Sequence, residues 1–140
     1  MTYSDAIAEM FAVFKDIWDV KAVQILGYLP PVIWQGVQVP IDKSNYWASV
    51  TQRTFSETQS ALNTARMFTA QGVLFIDIYC PRESPDARSN GRLLATAVKN
   101  AYKSPQTNTW FRNSTIQEQG LVNNAVKFTV VVQYEYDEEV

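Results

Sequence analysis

Val126-Lys127-Phe128-Thr129-Val130-Val131-Val132-Gln133-Tyr134-Glu135-Tyr136 is the stretch on which the fold turns. Phe128, Val130, Val132, Tyr134 and Tyr136 alternate with Lys127, Thr129, Val131, Gln133 and Glu135. Successive side chains of a strand point to opposite faces, so one face of this segment is apolar and the other mostly polar. Such alternation belongs to an antiparallel sheet covered on one side. The strand is expected over 122–136, preceded by another over 110–119, with Gln119-Gly120 making the turn between them.

Working outward, residues 69–80 repeat the pattern. Leu74, Ile76, Ile78 and Cys80 form the expected core set, and Val73, Phe75, Asp77 and Tyr79 face the other way. Residues 45–57 carry Tyr46, Trp47, Val50, Thr51, Thr54 and Phe55 without glycine or proline and read as a long strand. Residues 32–39 predict a first strand, and 58–68 a polar connection.

Two segments have helical spacing instead. Ile7, Met10, Phe11, Phe14, Ile17 and Trp18 make one buried stripe over 3–20, with Thr2 and Asp5 as a capping pair. Pro30-Pro31 ends any helix before the strands begin. Ser84-Pro85-Asp86 predicts the second helix start, with Ser84 as cap, and the helix runs to about Lys103. Leu93, Leu94, Ala97, Val98 and Ala101 fall on one side of its wheel, and Arg88, Arg92, Lys99 and Lys103 on the other. The order αβββαββ predicts one α+β domain over 1–140, a largely antiparallel sheet of about five strands with both helices on one face.

A chain of 140 residues suits a single core. Its 12 Lys and Arg against 14 Asp and Glu create no global field for nucleic acid or an acidic membrane. With no histidine, imidazole base and zinc chemistry and every His-containing triad are excluded within the subunit. Cys80 is the only cysteine, so no intrachain disulfide forms, and a reducing compartment is expected. Asp5 and Glu9 stand where a secretory signal needs basic residues, and no apolar run approaches membrane-span length, so the expectation is a soluble intracellular chain without membrane contact. Asn113-Ser114-Thr115 matches a glycosylation sequon, which in such a chain is a chance match.

The five glycines never cluster, which removes phosphate-loop and dinucleotide fingerprints, and no cofactor is expected. Asp77, Glu118 and Glu135 are the carboxylates from which an acid–base pair could be drawn. Their plainer reading is a wet sheet face or ion pairs with Arg53, Arg112 or Lys127. Cys80 reads as a small buried hydrophobe, and Asp137-Glu138-Glu139, lacking spaced cation ligands, as a solvated tail. The sheet face away from the helices mixes Phe75, Tyr79 and Val131 with Arg53, Asp77, Thr129, Gln133 and Glu135, a surface suited to burial in an assembly.

The order of segments, with Asn45-Tyr46-Trp47 opening a long strand, Gly72 to Pro81, the aromatic pair Trp110-Phe111 and the closing strand Val126 to Glu138, resembles the tail terminator proteins of long-tailed bacteriophages over about residues 5–138. The turn 82–86 departs from the glycine-rich turn of that pattern. The resemblance implies a non-enzymatic virion component, a hexameric ring that caps the tail tube, ends its polymerisation and offers the neck its attachment surface. It further implies a homo-oligomer, tail tube protein and neck or head-completion protein as partners, and DNA passing through the lumen without specific recognition. The implied place is the head-proximal end of the tail, reached from the host cytoplasm. Another ring protein of the neck or tube is the alternative, and a small ligand-binding domain or carboxylate enzyme ranks below both. Candidate subunit and partner contacts are Arg88, Arg92, Lys99 and Lys103, the loops 57–68 and 81–86 with Arg66, Arg82 and Glu83, and Asp137, Glu138 and Glu139.

Overall fold

The computed structural model describes residues 2–42, 44–59, 67–122 and 125–139. Helix α1 spans Tyr3–Leu26 and strand β1 Val32–Trp34; β2 spans Trp47–Gln59 and β3 Met67–Pro81. Helix α2 spans Ala87–Ala101, followed by β4 over Trp110–Val122 and β5 over Ala125–Glu139. The strands form one sheet in the order β1-β2-β3-β5-β4. All neighbours pair antiparallel except β1, which runs parallel to β2. The α+β class and the order αβββαββ expected from the sequence are the observed ones.

Helix α1 begins as its residues dictate. The Thr2 hydroxyl accepts from the Asp5 backbone N–H at 3.1 Å while the Asp5 carboxylate accepts from the Thr2 N–H at 3.3 Å, a reciprocal capping box. The helix outruns the expected end at residue 20 by nearly two turns. Lys21, Ala22, Val23 and Gln24 sustain it until Gly27, whose φ of 81° supplies the left-handed cap. Its buried line is Ala6, Met10, Phe14, Trp18 and Ala22, with Ile7, Phe11 and Ile17 half-buried beside it.

The central strands are long: β3 and β5 pair without a shift, and β2 keeps register with β3 as far as a shift between Thr54 and Ser56. Ile76 stands between Val50 and Val130, and Ile78 between Ala48 and Phe128, so the even-numbered residues of three strands share one apolar face. Leu74, Ile76, Ile78 and Cys80 are fully buried, as are Phe128, Val130, Val132 and Tyr136, with Tyr134 1% exposed. Both helices cover this face. The Tyr3 hydroxyl of α1 accepts from Gln52 Nε2 at 2.6 Å, and Gly91 of α2 lies against the Phe128 ring. The helices are tied together by Tyr102, just past α2, whose buried hydroxyl donates to the Met10 carbonyl of α1 at 2.7 Å.

Other boundaries also differ from expectation. The first strand stops at Trp34 instead of continuing to residue 39, because Gly36 with φ 79° turns the chain and Val37 N–H donates to the Trp34 carbonyl at 3.0 Å. The Gln35 side chain then takes both backbone groups of Gln52, accepting from its N–H at 2.7 Å and donating to its carbonyl at 3.2 Å. Helix α2 begins at Ala87, not at a Ser84 cap, because Ser84 and Ala87 N–H groups close two successive turns onto Pro81 and Ser84 carbonyls. Its flanking residue Asp86 makes no side-chain cap bond, and the helix ends at Ala101 rather than Lys103. Strand β4 runs on to Val122, and β5 runs from Ala125 to Glu139 instead of 122–136.

Candidate interaction surfaces

The buried side of α2 consists of Ala87, Gly91, Leu94, Ala95 and Val98. Leu93, expected in the core, is 56% exposed. The small residues Gly91 and Ala95 let the helix settle on Phe128, which rotates Leu93 out to solvent. This rotation also moves the basic stripe: Arg88, Arg92, Lys99 and Lys103 lie on the flank of the buried face rather than opposite it.

That flank meets β4. Arg92 Nη2 lies 2.9 Å from Glu118 Oε1 and Arg88 Nη1 4.0 Å from the same oxygen, so two of the four cations are held within the chain. Lys99, half-buried, and Lys103, exposed, make no ion pair among the described residues. All three charged partners are more than a third exposed, so these pairs orient side chains more than they stabilise the fold. Arg82 and Glu83 are exposed in the turn after β3. Arg66 and residues 60–66 of the expected loop lie outside the described residues, and the flanking residues on either side are strand.

The acidic end is not a solvated tail. Asp137, Glu138 and Glu139 continue β5 in register with Thr69, Phe68 and Met67, and the Thr69 hydroxyl donates to Asp137 Oδ1 at 2.8 Å. They sit at the sheet end opposite the Arg82–Glu83 turn.

The three carboxylates do not form an acid–base pair. Glu118 lies on the helix-side face, while Asp77 and Glu135 share the far face but are separated by six residues along the strand direction, about 20 Å. Each is matched by cations. Glu135 pairs with Arg112, Asp77 Oδ1 lies 3.8 Å from Lys127 Nζ, and Glu118 takes Arg92 and Arg88, partners the sequence did not single out for it. Asp77 also accepts from the Thr129 hydroxyl at 2.7 Å. Lys127 Nζ lies 5.5 Å from the centre of the Tyr79 ring, which stacks on Trp47 at 3.9 Å and 5°. The far face is therefore a lattice of mutually satisfied polar and aromatic groups, with Phe75 and Val131 half-buried among them. Among the described residues no group of three or more Cys, Asp or Glu could hold a metal ion, and no helix is long and apolar enough to cross a membrane.

Cys80 is fully buried, and burial pushes its thiol up from 9.0 to about 12. An unfolded chain gives up this proton near the ordinary value, whereas the folded chain keeps it. The group's contribution is therefore fully present below about pH 9 and declines as pH rises toward 12. Urea midpoints measured from pH 8 to 11 should fall more steeply for the wild-type chain than for Cys80→Ala, and equal slopes would refute this. A thiol reagent at pH 8 should label Cys80 only on unfolding.

No family model and no curated protein matches the sequence. The fold, however, is shared with a chain in the solved virion of a native gene transfer agent particle. The two superpose with a TM-score of 0.57 at 12% identity, covering 95% of this chain and 93% of the other. A second solved chain aligns at a TM-score of 0.49 and 14% identity over 86% of this chain and 94% of its own length.

Proposed function

We propose that this chain is a structural protein of a virion, and specifically a tail terminator: copies close into a ring, six in the family it resembles, that caps the tail tube, ends its growth and receives the neck. The observation that carries this reading is the end-to-end likeness of fold to a chain of the gene transfer agent virion, spanning nearly all of both. The side-chain chemistry supports it from another direction. The three sheet carboxylates Asp77, Glu118 and Glu135 are held in ion pairs and the one thiol is buried and protonated, so these groups serve structure rather than chemistry.

A ring uses two different patches on every subunit, repeated head to tail. Lys99, Lys103, Arg82 and Glu83 remain candidates for such contacts, as do Asp137 and Glu138; Arg88 and Arg92 join them as an arginine pair anchored by Glu118. The chain's partners in this reading are further copies, the tube protein and the neck protein, with DNA crossing the lumen.

Native mass over a concentration series, with negative-stain images of the same samples, tests the proposal. A closed ring near six subunits is expected, and with purified tail tubes the protein should decorate one tube end. A monomer at every concentration that also ignores tube ends would overturn it. Loss of the gene should give tails of uncontrolled length; a neck ring protein would leave tail length unchanged.

A further inference from the structure

The stretch after β1 has the composition of a strand and the structure of none. Val37, Val39 and Ile41 alternate with Gln38 and Pro40, a period-two pattern that overlaps the end of the strand expected over 32–39. Gly36 turns this stretch away from β2, and the Gln35 amide occupies the place on Gln52 that the next rung would have filled. Val37 and Val39 are consequently 47% and 50% exposed. The backbone N–H groups of Val39 and Ile41 have no hydrogen-bond partner among the described residues.

At the opposite edge of the sheet, β4 shows a complementary deficit. It pairs only with β5, so its outer row of backbone groups is open. Edge strands are ordinarily guarded by free charges. Here Arg112 is held by Glu135, and Glu118 by Arg92 and Arg88, so the charges of β4 are already engaged within the chain. Between its two register shifts β4 keeps a regular run, Thr115 to Glu118, close in length to the five residues 37–41. On its helix side Ile116, half-buried, and Leu121, 53% exposed, flank Glu118, whose charge Arg92 and Arg88 hold.

We infer that residues 37–41 of one copy add as a short strand to the β4 edge of the next copy, with Val39 and Ile41 on the same sheet face as Ile116 and Leu121. The proline settles which side faces inward. Groups two residues apart point the same way, so Val39 and Ile41 donate to β4 while Pro40, which has no N–H, looks outward and bars a further strand. Donor and acceptor lie at opposite edges of one sheet, so the contact is heterologous and repeats from copy to copy, as ring closure requires. This inference rests on the reading that the chain assembles with itself.

The test uses Val39→Asp and Leu121→Asp, both at exposed positions, with circular dichroism confirming that each variant folds. Each alone should raise the concentration for half-assembly by about tenfold or more. Mixed one to one, they retain a single intact contact, the strand of the Leu121 variant on the edge of the Val39 variant, and should form a heterodimer and nothing larger. Amide exchange at Val39 and Ile41 should slow in the wild-type assembly. Wild-type rings that tolerate both substitutions, a mixture that stays monomeric, or amides that exchange as in the monomer would overturn the strand addition while leaving the ring standing. A wild-type chain that stays monomeric even with tail tubes present would overturn the ring and this contact together.

Discussion

Replacing Trp18 with alanine is expected to cost about 3–5 kcal/mol of folding stability and to lower the melting temperature by about 10–20 °C. Trp18 is 2% exposed and is the largest fully buried side chain of the protein. Its ring stacks on Phe14 at 5.2 Å and 27°, and its indole N–H donates to the Pro30 carbonyl at 3.2 Å. That bond fastens the end of α1 to the segment entering β1. Truncation removes the ring's transfer energy, leaves a void beside Phe14 and Trp34, and orphans a carbonyl. Against a total stability of about 5–15 kcal/mol, such a loss is a large share. Urea or thermal denaturation followed by circular dichroism measures it. Trp110→Ala is the control: that side chain is 57% exposed, and its removal should change stability by about 0.5 kcal/mol or less. Similar effects at the two positions would refute the argument.

The second expected result is a reversal of sign. In an exposed helix interior Gly→Ala stabilises by about 1 kcal/mol, because alanine loses less backbone freedom on folding. At Gly91 the same change should destabilise by about 1–3 kcal/mol. A Cβ there would stand 2.1 Å from Phe128 Cε2 and 2.6 Å from Cδ2, far inside contact distance. The ring is fully buried and cannot swing aside, so α2 must lift from the sheet. A partner substitution isolates the cause. In a Phe128→Leu background the nearest crowding atom, Cε2, is gone together with Cζ, so Gly91→Ala should cost at least about 1 kcal/mol less than in the wild type. Identical costs in both backgrounds would show that the clash is not the source.

These two positions also mark where the sequence was readable and where it was not. The stripe through Met10, Phe14 and Trp18, the Thr2–Asp5 cap and the alternation of β3 and β5 are local signals, and the structure follows them. Gly91 carries no local signal, because its need for a bare Cα arises from a phenyl ring thirty-seven residues away. For the same reason the buried side of α2 was misjudged and Leu93 was placed in the core. The first strand was drawn too long because nothing local in the sequence shows that the Gln35 side chain substitutes for backbone on Gln52. The acidic end was read as a tail because its charges hide a register fixed by β3. Of the candidate surfaces, exposure of Arg82, Glu83 and Lys103 was legible, whereas the capture of Arg88 and Arg92 by Glu118 depends on how α2 lies against β4. The plain reading of the carboxylates as ion-paired was available from charge alone; of the cations it named, Arg112 and Lys127 take part, while Arg53 makes no ion pair among the described residues.

The unequal pairing of the strands has a mechanical consequence. β3 is bonded to β5 from Met67 to Pro81 and to β2 over nearly the same length, whereas β1 meets β2 at three positions only. A pull along the strand axis loads the long ladders in shear, and many rungs must fail together. A pull across the sheet at β1 peels three rungs one after another. The protein is thus stiff along one direction and yielding at one margin.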